Sequence, residues 1–129
     1  MIVGLAFDHM KTEVLANGDY QDLEAKLLTM GGRELVYMPS PSEFIRYLTY
    51  HGRLFAGMPV KHARGKPSQC HDNVEALYKK RPKKYKMCHG YGLSPDGLWR
   101  QHSWLLEGET IVETTVERVA YYGVVIESS

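Results

Sequence analysis

Two stretches near the C-terminus, Trp99–Leu106 and Thr110–Val116, flank Glu107-Gly108-Glu109 and read together as a β-hairpin. No other part of the sequence restricts the fold as tightly. A turn centred on Gly108-Glu109 pairs Leu106 with Ile111, Trp104 with Glu113 and His102 with Thr115. Side chains alternate across a strand, so His102, Trp104, Glu113 and Thr115 lie on one sheet face, and Arg100 shares it. His102 and Glu113 become diagonal neighbours, roughly 7 Å apart at their backbones and within side-chain reach. A slip of one residue would put them on opposite faces, so the inference hangs on the turn.

The hairpin sits in a longer run of strands: Tyr85–Leu93, Trp99–Leu106, Thr110–Val116 and Val119–Ile126. Ser94-Pro-Asp-Gly97, Glu107-Gly108 and Glu117-Arg118 separate them. The part before Tyr85 is mostly helical. Ile2–Phe7 suits a short first strand. Asp19 is placed to cap a helix from Tyr20 to about Met30, with Leu23, Leu27 and Met30 as its apolar stripe and Gly31-Gly32 as its stop. Glu34–Met38 reads as a strand closed by Pro39-Ser40-Pro41. A second helix runs from Ser42 to near Gly52, with Phe44, Ile45 and Leu48 inward. Ala56–Pro67 reads as a loop, and a third helix spans about Ser68 to Lys80 before Pro82. Helices first and an antiparallel meander after them make an α+β fold, expected as one domain over residues 1–129. Residues 1–55 carry no chemical motif and 56–129 form the expected catalytic core.

With 129 residues, the chain buries roughly two-thirds of the surface that its unfolded form exposes. Its formal net charge of +1 produces no global field to steer it toward nucleic acid or membrane. The start, MIVGLAFDHMK, lacks the basic region of a signal peptide, and no apolar stretch approaches the roughly 18 residues of a membrane span. Two cysteines, Cys70 and Cys88, are too few for a disulfide scaffold. The expectation is a soluble, cytoplasmic protein.

Pro67-Ser68-Gln69-Cys70 reads as the start of the third helix, with Ser68 as cap and Cys70 near the second helical position. Unpaired N–H groups and the positive end of the helix dipole favour a thiolate there, so the thiol pKa should fall below ~8.5. The same N–H groups can hold a developing oxyanion. A lone cysteine at such a place is more often a small packed residue. Its combination with His102 and Glu113 shifts the balance toward a nucleophile, a base and a carboxylate that orients the base.

In order along the chain come Cys70 at a helix start, Gly90-Tyr91 on a strand, His102-Ser-Trp104 and Glu113-Thr-Thr115. This order resembles the transglutaminase-like branch of the papain-like cysteine fold, over about residues 65–116. The resemblance implies a papain-like core, no cofactor, and a Cys70–His102–Glu113 triad acting on a peptide, protein or small amide. Peptidases, amidases, deamidases, transglutaminases and acyltransferases all share that pattern, so it fixes no substrate. Glu113 stands where the family has Asp, and the stretch between the Cys helix and the Gly-Tyr strand is shorter and basic. The backbone N–H of Cys70 and the Gln69 side chain are the oxyanion candidates, and Trp104, Thr115 and Arg100 are candidates for the cleft.

Two rival readings remain. Cys70-His71, Cys88-His89 and His102 could hold zinc, but the wide spacing departs from a structural site, so no metal is expected. The run Lys79-Lys-Arg-Pro-Lys-Lys-Tyr-Lys86 could bind an acidic partner or nucleic acid, as in a non-catalytic adaptor or inhibitor. More often such a run is a solvated helix end, and nucleic acid is not expected as the partner.

Overall fold

The computed structural model describes residues 18–126, and the strand expected over Ile2–Phe7 lies outside them. Helix α1 (Asp19–Leu28) places Tyr20, Leu23 and Leu27 on one buried stripe, as the three- and four-residue spacing requires. Asp19 is not its cap. Gly18, at φ 87°, takes that position, and Asp19 falls inside the first turn, where its charge still favours the helix dipole. The helix also stops short of Met30, and Gly31 and Gly32 turn the chain at φ 133° and 77°. The expected strand over Glu34–Met38 shrinks to β1 (Glu34–Leu35), because the prolines beyond it cannot extend a ladder. Helix α2 (Ser42–His51) has the predicted limits, with Ile45 and Leu48 buried and Phe44 partly so.

Strand β2 (Arg53–Leu54) follows, and the expected loop from Ala56 to Pro67 contains a further strand, β3 (Val60–His62). Val60-Lys61-His62 holds one apolar residue, too few to show a strand by alternation; its place at the sheet edge explains why. Helix α3 (Cys70–Lys80) starts later than expected. Ser68 lies outside it at φ 60°, Gln69 is the capping residue without a side-chain cap bond, and Cys70 is the first helical residue.

Strands β4 (Lys86–Leu93), β5 (Leu98–Glu107), β6 (Thr110–Glu113) and β7 (Ala120–Ile126) complete the described residues, with β6 ending at Glu113 where the expected strand ran on to Val116. The hairpin starts in the predicted register, with Leu106 facing Ile111, but the ladder stops at Leu105–Val112, so the expected pairs Trp104–Glu113 and His102–Thr115 are not formed. The expected antiparallel meander does not form. β7 crosses back to pair with β4, so the order is β2-β7-β4-β5-β6-β3, with β1 beside β5. Two pairings, β1 with β5 and β3 with β6, are parallel, so the sheet is mixed rather than antiparallel.

The helices cover one sheet face. Tyr20, Leu23, Leu27, Ile45 and Leu48 pack on Tyr91, Leu93, Trp99 and Tyr122, and Val74 of α3 packs on Leu105 and Val112. On the other face Phe55, Cys88, Trp104, Leu106, Ile111 and Tyr121 form a second core beneath Met58 and Val60. Leu48 is fully buried where α2 meets Tyr122. Leu48→Ala should therefore cost about 2–5 kcal/mol of unfolding free energy, read from denaturant midpoints, whereas a loss under about 1 kcal/mol would contradict this packing.

Candidate active site

β5 is covered unevenly along one edge. Val36 N–H donates to the Trp99 carbonyl at 2.8 Å beside β1, and β6 pairs only from Leu105 onward. Backbone groups of alternate residues point the same way, so Ser103 N–H faces the gap between them. The first residue of α3 comes to this gap, where the Ser103 backbone N–H and His102 both favour an ionised Cys70 sulfur. The thiol thus reaches a histidine that lies on the sheet face away from the helices.

His102 and Glu113 are both fully buried, and His102 Nε2 lies 2.8 Å from Glu113 Oε1. Glu113 accepts three more hydrogen bonds: Tyr121 OH at 2.8 Å, Thr115 N–H at 3.0 Å and Thr115 Oγ1 at 3.0 Å. Burial disfavours the carboxylate, yet His102, Thr115 and Tyr121 overcome it and hold Glu113 down to about 2. The second imidazole nitrogen, Nδ1, is buried and has no hydrogen-bond partner among the described residues. With Nε2 committed to Glu113, it is the nitrogen left to act on the Cys70 thiol, and the neighbouring thiol helps to raise the imidazole.

Burial raises the Cys70 thiol, but the hydrogen bonds from His102 and Ser103 and the charges of His102 and Arg118 bring it below its ordinary value. Burial likewise lowers His102, and its bonds to Cys70 and Glu113, with the Glu113 charge, reverse the sign and raise it. The two shifts favour the same charge state, a thiolate beside an imidazolium. Cys88 is the internal contrast. It is buried among apolar side chains, and burial pushes its thiol up to about 12.

The other candidates take different places. Thr115 serves Glu113 through both of its donors rather than lining a cleft alone. Trp104 is wholly buried and stacks behind His102 at 6.0 Å between centroids, with Phe55 and Tyr121 against its other sides. Arg100 is drawn away to Asp96 at the β4–β5 turn, 2.9 Å from its carboxylate. Gln69 is exposed at the helix start. A cleft of about 510 Å3 runs beside the carboxylate, between Arg64–Ser68 and Glu113–Val116.

Tyr121, Arg118 and Ser103 have no role in the sequence reading, and His71 and His89 entered it only as zinc candidates. Tyr121 and Arg118 come from the β6–β7 connection and β7, and only the unexpected β7–β4 pairing brings them to the His102 face. On the helix-covered face, Ser103 Oγ contacts both His71 Nδ1 and His89 Nδ1, the latter at 2.7 Å. Burial lowers both imidazoles, His89 to about 4. The sequence signal for these contacts is only the alternation of His102 and Ser103, which sends adjacent side chains to opposite faces.

The basic segment carries internal partners at two points, Lys79 with Glu75 at 2.8 Å and Lys84 with Glu107 at 3.9 Å. Among the described residues no cluster of three or more His, Cys, Asp or Glu could hold a metal ion, and no helix is long and apolar enough to cross a membrane. No family model, curated protein or solved structure matches the chain.

The Glu113 pKa lies lower in the folded chain than its ordinary 4.5. Its charge therefore stabilises the fold fully above that value, and the contribution is lost as pH falls toward about 2. Glu113→Gln should lose about 3–5 kcal/mol at neutral pH, and the gap to the native chain should narrow in denaturant titrations near pH 3. An equal gap at both pH values would show that the charge is not the source.

Proposed function

We propose that this chain is a cysteine-dependent hydrolase or acyltransferase of the transglutaminase-like, papain-like kind, acting on an amide or related acyl bond. The observation that carries the reading is the buried His102–Glu113 contact, which takes Nε2 and leaves Nδ1 without a partner of its own on the ring whose neighbourhood lowers the Cys70 thiol. Orientation precedes acidity in such a site, and both agree here.

His102 takes the Cys70 proton, and the thiolate adds to the carbonyl carbon. Charge moves to the carbonyl oxygen, where the Cys70 backbone N–H is the available donor: as the first residue of α3 it has no intrahelical acceptor. Collapse of the adduct breaks the bond to the leaving group, which takes the proton from imidazolium, and leaves a thioester on Cys70. Water or an amine then attacks the thioester, passes its proton to His102, and the thiol is regenerated. Glu113 stays ionised throughout, because its four donors favour the carboxylate. The extra methylene of Glu relative to Asp is accommodated by Thr115 and Tyr121, which hold both carboxylate oxygens. Both cysteines are free, which suits a reducing compartment.

Alkylation by iodoacetamide across pH tests the reading. Cys70 should label with a midpoint below the ordinary ~8.5, and His102→Ala should move that midpoint up. Cys88 should stay unlabelled while the chain is folded. A midpoint at the ordinary value, unmoved by His102→Ala, would overturn the reading.

A further inference from the structure

Cys70 and His102 each have a chain neighbour that meets the other's on the helix-covered face of the sheet. His71 follows Cys70 in the first turn of α3, and Ser103 follows His102 on β5. His71 Nδ1 is hydrogen-bonded to Ser103 Oγ, and the same hydroxyl lies 2.7 Å from His89 Nδ1. A hydroxyl can donate to one ring and accept from the other, so it serves both. His89 pairs with Ser103 across β4 and β5, which puts their side chains on one face. Its ring lies 4.9 Å from that of His71 and 5.2 Å from Phe44 of α2. Ser103 is only 6% exposed, so little water competes for the hydroxyl.

The other contacts of the helix start leave its rotation open. Val74 packs on Leu105 and Val112, which sets the distance of α3 from the sheet. Apolar packing is non-directional and does not fix how the first turn faces β5. Gln69 supplies no side-chain cap. Asn73 bonds to the N–H and carbonyl of Lys66, at 3.0 and 2.8 Å, in the exposed loop before the helix rather than on a strand. The His71 bond, by contrast, is directional and ends on β5 itself. Successive helical residues are about 100° apart. A rotation of the first turn that carries Cys70 away from β5 therefore also pulls His71 off Ser103.

We propose that Ser103 and His71 are positioning residues for the reaction of Cys70, with His89 holding the hydroxyl that His71 grips. The proposal rests on Cys70 being the nucleophile of the reading above. A reacting group misplaced by about 1 Å can lose up to roughly a hundredfold in rate, so a single directional bond at this point has a large effect on reactivity.

The test is alkylation by iodoacetamide, followed at Cys70 and at Cys88 across pH. An S–C bond forms as the C–I bond breaks and iodide leaves. Ser103→Ala removes the hydroxyl and keeps the backbone N–H that faces Cys70. Its Cys70 midpoint should rise toward the ordinary ~8.5. Labelling near pH 7 should slow by about threefold or more. Above about pH 10 the thiol is ionised in every variant, so the rates should converge. Ser103→Thr keeps the hydroxyl and should restore the native midpoint; its methyl has room in a cavity of about 390 Å3 that Ser103 lines with Val74, Tyr78 and Met87. His71→Ala leaves Ser103 and His89 together and should reproduce the rise. Burial lowers the His71 imidazole, so above pH 7 that variant loses position and not charge. It decides the matter if Ser103→Ala does not fold. Cys88, buried in the folded chain, stays unlabelled and so separates a shifted Cys70 from an opened structure.

An unchanged midpoint in Ser103→Ala or His71→Ala with Cys88 protected, a rise that Ser103→Thr fails to reverse, or equal slowing at every pH would each overturn the proposal. Failure of the nucleophile reading shows up separately in the native chain, as an ordinary midpoint that His102→Ala does not move.

Discussion

The buried contact between His102 and Glu113 governs the rest of the site. An ionised carboxylate and an imidazole removed from water are each costly, and only a complete set of donors makes the arrangement tenable. Glu113 has that set: His102, Tyr121 and both donors of Thr115. Once the carboxylate fixes Nε2, the ring can turn only Nδ1 toward Cys70. The raised imidazole and lowered thiol are consequences of one pairing, transmitted across the ring.

The sheet supplies what this pairing needs. Trp104 stacks beside His102, glycines at 92 and 123 leave room where Arg118 and Trp104 lie, and Gly90 lets the backbone of β7 come close to β4. β6 ends at Glu113, so the carboxylate can fold back against the backbone of Thr115 instead of continuing a ladder. The gap left along β5 receives the start of α3. A shorter β6 and a displaced helix start, both departures from the expected boundaries, are the features that let Cys70 meet His102.

The hairpin of the site was legible because a tight turn and strict alternation determine register locally; the pairing of Leu106 with Ile111 follows from the turn alone. α2 was legible for a similar reason, with Pro41 before it and Gly52 after it. The path of β7 was not. Its pairing with β4 rather than β6 depends on contacts between segments distant in the chain, which no local pattern encodes. Arg118 and Tyr121 were therefore invisible as site residues, though Tyr121 sits in an obvious strand. β3 was missed because an edge strand with a single apolar residue resembles a basic loop. Arg100, placed correctly on its face, is claimed by an aspartate one turn away.

The order of the strands carries a consequence for how the chain matures. Cys70, Ser103, Glu113, Arg118 and Tyr121 come from segments that meet only through the β4–β5, β5–β6 and β4–β7 pairings, the last of which recruits the C-terminal strand. Contacts of such long sequence separation form late and together. A nascent or partly unfolded chain therefore carries an ordinary thiol, protonated near neutral pH and slow to react. The lowered pKa of Cys70 emerges only with the finished sheet, so the thiol's character reports whether the C-terminal strand has joined β4.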